Sequence, residues 1–198
     1  MLLYIIGYIS RRNPIPPKVK VTRDAIIETA VTLTRKQGAD SINARNIAAA
    51  LNCSTQPIFS NFDTMNALRL SVVIKATELF KQYNIQEIEL HHSPEYKAYG
   101  MSYIRFAKEE PELFKLLFMR DRKDISESPE SLFFDQMVSV VQGNTGLGVD
   151  AANLFHLEMW AFVHGIATMY ATGYLDLDWS LVSQMLSDAY QGLIKKHT

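Results

Sequence analysis

This sequence of 198 residues lacks most of the features that mark secreted, membrane or catalytic proteins. Its single cysteine, Cys53, excludes a disulfide framework and any zinc site built from several cysteines. No apolar run approaches the roughly 18 residues that a membrane-spanning helix needs, so we expect no membrane contact. The motifs GxGxxG, HExxH and GxSxG and phosphate-binding loops do not occur. We therefore expect no catalytic residue, no metal ion and no cofactor.

Net charge is also nearly absent, at −1 for the whole chain. It is unevenly distributed, because residues 1–62 hold eight basic and three acidic side chains and carry +5, whereas the remainder carries −6. This asymmetry favours an amino-terminal part that meets a polyanion and a larger part with another role. Random scatter of charges on a solvated surface is the alternative that charge alone leaves open.

Residues 1–21 are predicted to form a flexible arm. Three prolines, Pro14, Pro16 and Pro17, exclude regular structure there. The apolar opening MLLYIIGYIS has no basic region before it and no small-residue cleavage site after it, so a secretory signal is not expected. The arm either has a function or, in residues 1–17, reflects a misplaced start codon.

From Thr22 onward the apolar residues recur at three- and four-residue steps, which predicts helices throughout. Thr22 suits the cap of a first helix and Gly38 its end, Asn43 the cap of a second, and Asp63 or Thr64 the cap of a long fourth helix reaching about Leu90. Further helices are predicted before and after Pro111, from a cap at Ser128, from Val149 and from Asp178, and the glycines Gly143, Gly146 and Gly148 predict a loop before Val149. No convincing period-two segment occurs, so the predicted fold is all-α.

The strongest local signal is the stretch IAAALNCSTQPIF, residues 47–59. Ala48 is the small residue needed where two helices cross, and Asn52 tolerates the positive φ that the turn requires. Both features are typical of a helix-turn-helix. The third helix, predicted over residues 54–62, leaves outward a small polar set that suits base edges in a major groove: Thr55, Gln56, Ser60 and Asn61. An αα-hairpin that never meets DNA has the same apolar needs and is the alternative.

The context of this motif resembles the TetR family of transcriptional regulators. The resemblance runs over about a quarter of the chain, through TRDAIIETA, the stop at Gly38, INARNIAAALNCSTQPIFSNF and Leu68. It implies a helix-turn-helix DNA-binding domain over residues 22–68, followed by a helical effector-binding and dimerisation domain over residues 69–198.

The resemblance also implies DNA contacts for particular residues. Asn43 and Arg45 occupy positions that commonly touch phosphate, and Phe59 replaces the usual tyrosine that braces the DNA backbone. Met65 stands where a phosphate-binding lysine is usual, so arm residues such as Lys18, Lys20 and Arg23 are expected to compensate, because phosphate contacts are interchangeable. Asn61 stands where a histidine is usual. The full predicted set is Lys20, Asn43, Arg45, Ser54, Thr55, Gln56, Phe59, Ser60, Asn61 and Thr64.

The second domain is rich in aromatic and methionine side chains at helical spacing. Core packing explains any one of them. The resemblance implies that some line a cavity for a small apolar effector, which we place between the fourth helix and the helices that follow. The predicted ligand-binding residues are Met101, Phe106, Phe118, Phe134, Met137 and Met159.

His156, Trp160 and His164 are spaced four and four on one helix. The two histidines are about 12 Å apart along the axis and cannot share a metal ion. The residues WAFVHG instead resemble a W-x-x-x-H-G signature in one branch of TetR carboxy-terminal domains, which implies packing at or near a subunit interface. A homodimer is expected, built mainly from the last two helices, with Phe155, Trp160, Phe162, Gly165 and Met185 in its interface.

The sequence therefore predicts a ligand-responsive transcriptional regulator in the cytoplasm. As a repressor it binds a palindromic operator in double-stranded DNA as a homodimer, and a small apolar effector releases it. The alternative is a helical protein-interaction module, or an atypical all-α enzyme, whose helix-turn-helix is only scaffold.

Overall fold

A computed structural model describes residues 21–92, 94–119 and 129–197 of the chain. All regular secondary structure in these ranges is helical, which confirms the all-α prediction. A short 3-10 turn, Ala39–Ser41, follows the first helix. The helices are α1 (Arg23–Gln37), α2 (Ala44–Ala50), α3 (Gln56–Asn61), α4 (Met65–His91), α5 (Glu95–Glu109), α6 (Pro111–Phe118), α7 (Pro129–Thr145), α8 (Val149–Ala171) and α9 (Trp179–His197).

The first three helices begin and end where local chemistry predicts. The Thr22 hydroxyl accepts a hydrogen bond from the amide of Ala25, and the Asn43 side chain accepts one from the amide of Asn46. Gly38 ends α1 with φ at 78°, and Asn52 takes φ at 50° in the turn before α3. These caps and turns rest on one or two residues each, so the sequence alone could locate them.

Two boundaries differ from the prediction. Helix α3 begins at Gln56 rather than Ser54, because Thr55 serves as its first capping residue without a side-chain hydrogen bond. Helix α7 runs through Gly143, which was predicted to lie in a loop. Gly143 is exposed and has no neighbour within 4 Å of a Cβ position, so the helix tolerates it at the usual cost of about 1 kcal/mol. The predicted cap Ser128 lies outside the described residues.

Helix α4 joins the amino-terminal helices to the rest of the molecule. The Thr64 hydroxyl caps its start, and its 27 residues span about 40 Å. Near its start, Ser71 accepts a hydrogen bond from Arg23 of α1 at 2.9 Å. Near its end, the buried carboxylate of Glu87 pairs with Arg105 of α5 at 2.8 Å. The same helix thus packs against α1 at one end and against α5 at the other.

Helix α5 is the centre of the carboxy-terminal bundle and contacts α4, α6, α7, α8 and α9. Its Gly100 lies so close to α9 that a Cβ atom would stand 3.0 Å from the Leu186 side chain. On the α4 side, the ring of Phe80 is 1% exposed and fills the space between the helices. Its edge-on or tilted partners, at centroid distances of 5.4–5.9 Å, are Tyr99, Tyr103, Phe106, Phe118 and Phe133.

The junction between α5 and α6 also touches the amino-terminal helices. Arg35, near the end of α1, donates two hydrogen bonds to the Glu110 carboxylate at 2.7 and 2.8 Å. A Cβ atom on Gly38 would stand 2.9 Å from a carboxylate oxygen of Glu112, so chain and side chain approach closely there. Helix α1 is therefore tied to α4 at its beginning and to the α5–α6 junction at its end.

We expect Phe80→Ala to lower the free energy of unfolding by about 3–5 kcal/mol, because it opens a cavity among five aromatic neighbours. Ile74→Ala on the same helix is the matched control, since Ile74 is 51% exposed and surface substitutions change stability by about 0.5 kcal/mol or less. Urea denaturation at one protein concentration measures both values. Similar values for the two variants would contradict the placement of Phe80 in the core.

Candidate nucleic-acid interface and ligand cavity

The helix-turn-helix presents a polar and basic surface to solvent. Arg45 on α2 and Gln56 and Ser60 on α3 are exposed, and the Phe59 ring is 55% exposed although it is apolar. The opposite face of the motif is buried through Ile47, which is 0% exposed, and its neighbours in the core. Burial of one face of each short helix leaves the other available for a partner.

Several predicted DNA-binding side chains are already hydrogen-bonded to the backbone. Asn43 and Thr64 accept bonds at the starts of α2 and α4, as described above. Ser60 donates to the Gln56 carbonyl at 2.9 Å, and Asn61 donates to the Pro57 carbonyl at 2.7 Å. These bonds fix the orientation of the side chains. Among the described residues, Arg45 and Gln56 have no side-chain partner in hydrogen bonds or ion pairs, Ser54 is exposed and Thr55 is half-buried.

Of the three residues expected to compensate for the missing phosphate-binding lysine, only Arg23 lies within the described residues. Lys18 and Lys20 lie outside the described residues. Arg23 is exposed, and its guanidinium donates a hydrogen bond to Ser71 and lies 4.7 Å from the centroid of the Phe62 ring. That pairing holds the start of α1 against the third helix and the fourth.

A cavity of about 480 Å³ lies between α5, α8 and α9. Its volume is within the range of small-molecule sites in proteins. Most of its wall is aromatic or aliphatic, with polar groups from Lys97, Ser187, Asn144 and Gln191. The aromatic side chains of the wall are Tyr96, Tyr99, Tyr103, His156, Trp160 and Tyr190.

Of the six predicted ligand-binding residues, Met159 lines this cavity. Phe106 is 0% exposed, packs on Phe80 and Tyr83, and does not line the cavity. Met101 and Met137 are buried, Phe118 is half-buried against Phe80, and Phe134 reaches the cavity wall only through the His156 ring, 4.5 Å away. Of the predicted set, Met101, Phe106 and Met137 are thus core residues, and Met159 is the member that lines the described cavity.

Sequence reasoning missed the tyrosines of the wall. Tyr96, Tyr99 and Tyr103 recur at steps of three and four, which places them on one face of α5. Three phenol groups on one helical face are a signal for a half-polar surface, because a buried hydroxyl needs a partner. Tyr190 of α9 has no such local pattern and joins them only through packing.

His156 is an uncharged part of the wall. It is 4% exposed, and burial lowers its pKa to about 4. Burial also raises the pKa of Tyr96, whose hydroxyl lies 2.9 Å from Nδ1 of His156. Both groups are therefore neutral near pH 7, and we assign the tyrosine as donor to the imidazole. This pair brings no charge into the cavity.

A chain of rings leads from the cavity to α6. Trp160 lines the cavity and stacks on His164, with centroids 5.0 Å apart and the planes 19° from parallel. The Tyr103 hydroxyl lies 2.9 Å from Nδ1 of the same histidine. Phe114 of α6 packs on both Tyr103, at 5.2 Å, and His164, at 5.9 Å.

The predicted interface residues on α8 and α9 divide between surface and interior. Phe155 is 0% exposed inside the bundle and contributes no surface to an interface, so it cannot have the predicted role. Trp160 faces the cavity, while Gly165 and Met185 are half-buried and Phe162 is 37% exposed. Exposed apolar side chains do follow one another along α8, at Leu154, Leu157, Phe162 and Met169.

The described ranges contain neither a cluster of metal-ligating side chains nor a helix that could span a membrane. No three histidine, cysteine, aspartate or glutamate side chains there are close enough to hold a metal ion together. None of the described helices combines the length and the apolar character needed to cross a bilayer.

Comparison with known proteins gives a family for the second half of the chain and a fold for nearly all of it. Residues 96–189 match the model of the tetracyclin repressor-like, C-terminal domain family. The matched segment includes nearly all of α5, all of α8 with the residues WAFVHG, and the first part of α9. A comparison with curated protein sequences finds no significant match.

Two solved structures share the fold. One is a TetR-like transcriptional regulator from Rhodococcus sp. RHA1, with a TM-score of 0.67 and 14% identity over 86% of this chain and 94% of that one. The other is a member of the TetR family from Streptomyces coelicolor A3, with a TM-score of 0.62 and 12% identity over 84% of this chain and 96% of that one. Residues 96–189 of this chain are thus similar to the tetracyclin repressor-like, C-terminal domain family, and the chain as a whole shares the fold of these two solved structures.

Proposed function

We propose that the protein is a transcriptional repressor that binds a palindromic operator as a homodimer and leaves it when a small effector binds. The observation that carries this proposal is the exposed polar face of α2 and α3, with Arg45 and Gln56 unengaged, within residues 1–62, which carry a net charge of +5. It acts on cytoplasmic double-stranded DNA and has no enzymatic role.

The proposed DNA contacts fall into phosphate contacts and base contacts according to the chemistry of each side chain. Arg45 supplies a positive charge for phosphate, and the amide of Gln56 offers both a donor and an acceptor for a base edge. Phe59 braces the sugar-phosphate backbone with its exposed ring. Asn43, Thr64, Ser54, Thr55, Ser60 and Asn61 surround these three and complete the proposed surface, with Lys20 of the arm as a further phosphate contact.

Dimerisation is supported by the exposed apolar side chains of α8. Leu154, Leu157 and Phe162 are 48%, 49% and 37% exposed. Their burial against a second copy, with Leu181 and Met185 of α9, would remove this apolar surface from water. A twofold dimer also presents two copies of α3, so the two can read two related half-sites.

The effector is proposed to bind in the cavity between α5, α8 and α9. Its wall is connected to α6 through Trp160, His164 and Phe114, and α6 begins at the junction that Arg35 of α1 bonds. An effector changes DNA affinity only if it binds one arrangement of the helices better than another. A shift of α6 transmitted to α1, together with a tilt of α4, is the arrangement that we propose it selects.

Arg45→Ala is expected to weaken binding to operator and random DNA alike, because it removes one phosphate contact. The slope of log K against log salt concentration then falls by about one ion. Gln56→Ala is expected to cost about 1–3 kcal/mol on the operator and little on random DNA. Fluorescence anisotropy titrations at several salt concentrations measure both, with the DNA upstream of the gene as the first operator candidate.

Lys195→Ala on α9 is the control, since it removes an exposed positive charge outside the helix-turn-helix. It is expected to leave both affinities nearly unchanged. If both test variants lost the same affinity on operator and random DNA, the division into phosphate and base contacts would be wrong. If the wild-type protein bound no DNA, the helix-turn-helix would be scaffold and an interaction module would be favoured.

Leu157→Glu is expected to convert the dimer into a monomer, because it buries a charge in the apolar contact of α8. Ile85→Glu on α4 is the matched control, since Ile85 is 53% exposed but lies on another helix. Light scattering at micromolar concentration gives the masses. A monomeric wild-type protein, or a dimeric Leu157→Glu variant, would contradict the proposed interface.

A further inference from the structure

The charge in the cavity wall is confined to one side chain. Of the residues that line the cavity, Lys97 alone is basic and none is acidic. His156 is neutral near pH 7 for the reason given above, and the remaining polar groups are hydroxyls and amides. An anion would thus meet one positive charge here and no opposing carboxylate from the wall.

Lys97 has no carboxylate partner among the described residues. Its ammonium donates a hydrogen bond to the Ser187 hydroxyl of α9 at 2.9 Å, and the side chain is half-buried. A half-buried ammonium that is held by a neutral hydroxyl retains most of its capacity to attract an anion.

The position of Lys97 in α5 does not favour its positive charge. It is the third residue of the helix, where the helix dipole is positive and where a cation is unfavourable. The ion pairs that stabilise this bundle, such as Glu87 with Arg105, are made elsewhere. A ligand anion at this position would be favoured by the lysine and by the helix dipole together.

The rest of the cavity wall favours a ligand that contains flat rings. Trp160, Tyr190 and the three tyrosines of α5 surround the space with π-faces and edges, and aromatic pairs prefer stacked or edge-on contacts of this kind. Leu186 and Val163 close the wall with aliphatic surface. A volume of about 480 Å³ is within the range of small-molecule sites and is large enough for a compound of one or two fused rings.

We propose that the effector of this cavity is a planar aromatic compound with a single carboxylate, which pairs with Lys97 while the rings stack among the tyrosines and Trp160. This inference rests on the proposed effector function and refines the expectation of a purely apolar ligand. The carboxylate either displaces the Ser187 hydroxyl from the Lys97 ammonium or binds the ammonium beside it. The apolar part of the compound lies against the aromatic side chains of the wall.

The test compares two probes that differ in charge but not in rings, 2-naphthoate and 2-naphthamide. Isothermal titration calorimetry with the full chain, in the absence of DNA, measures both dissociation constants. We expect naphthoate to bind about tenfold tighter or more, because a hydrogen bond to a charged group is worth more than one between neutral groups. Equal affinities, or no binding of either probe at millimolar concentration, would overturn the proposal.

Substitutions of Lys97 test whether its ammonium causes the preference for the carboxylate. Lys97→Met is expected to remove the preference for naphthoate and to change the naphthamide affinity less than about twofold, since only the ammonium is lost. Lys97→Gln is the second variant, which keeps a hydrogen-bond donor without the charge. Lys195→Met, on the exposed surface of α9, is the control and keeps the preference. A preference that survives both substitutions of Lys97 would overturn the assignment.

The same titrations distinguish this inference from the proposed function. Operator binding is measured on the unliganded protein, so a chain that fails to bind DNA still gives a naphthoate affinity. A chain that binds its operator and shows no preference for the carboxylate refutes the ligand class alone. Thermal unfolding of each variant checks that the fold is retained.

Discussion

Burial of the Phe80 ring is the contact on which the arrangement of the carboxy-terminal helices depends. The ring lies among side chains from α5, α6 and α7, so one residue of α4 sets the separation of four helices. Because α4 also carries the bonds to α1, this packing fixes where the amino-terminal helices stand relative to the bundle. Tyr99 and Tyr103 of α5 pack against Phe80 and also line the cavity, so the core contact and the cavity wall share two side chains.

The features that could be predicted from the sequence are those decided within a few residues. Thr22, Asn43 and Asn52 act through their own backbone or that of the next turn, so their roles follow from residue type and position. The helical periodicity likewise gives the all-α fold. The polar face of the helix-turn-helix follows from which positions of two short helices must be buried.

The cavity could not be predicted because it depends on how distant helices pack. Phe106 and Met159 look alike in the sequence, yet one fills the core and the other lines the cavity. Phe155 stands on an apolar helix that was expected at an interface, but α9 covers it through Tyr190 and His197. Only the relative rotation of α5, α8 and α9 decides which of their apolar faces meets protein, ligand or solvent.

The two attachments of α1 limit the motions available to the helices that follow it. Its beginning is held at α4 by Arg23 and Ser71, and its end is held at the α5–α6 junction by Arg35 and Glu110. The first attachment combines a half-buried bond with a ring contact, whereas the second is a more exposed ion pair. A displacement of α6 therefore moves one end of α1 more than the other. In the effector response that we propose, α1 would rotate about its beginning, and α2 and α3 would rotate with it.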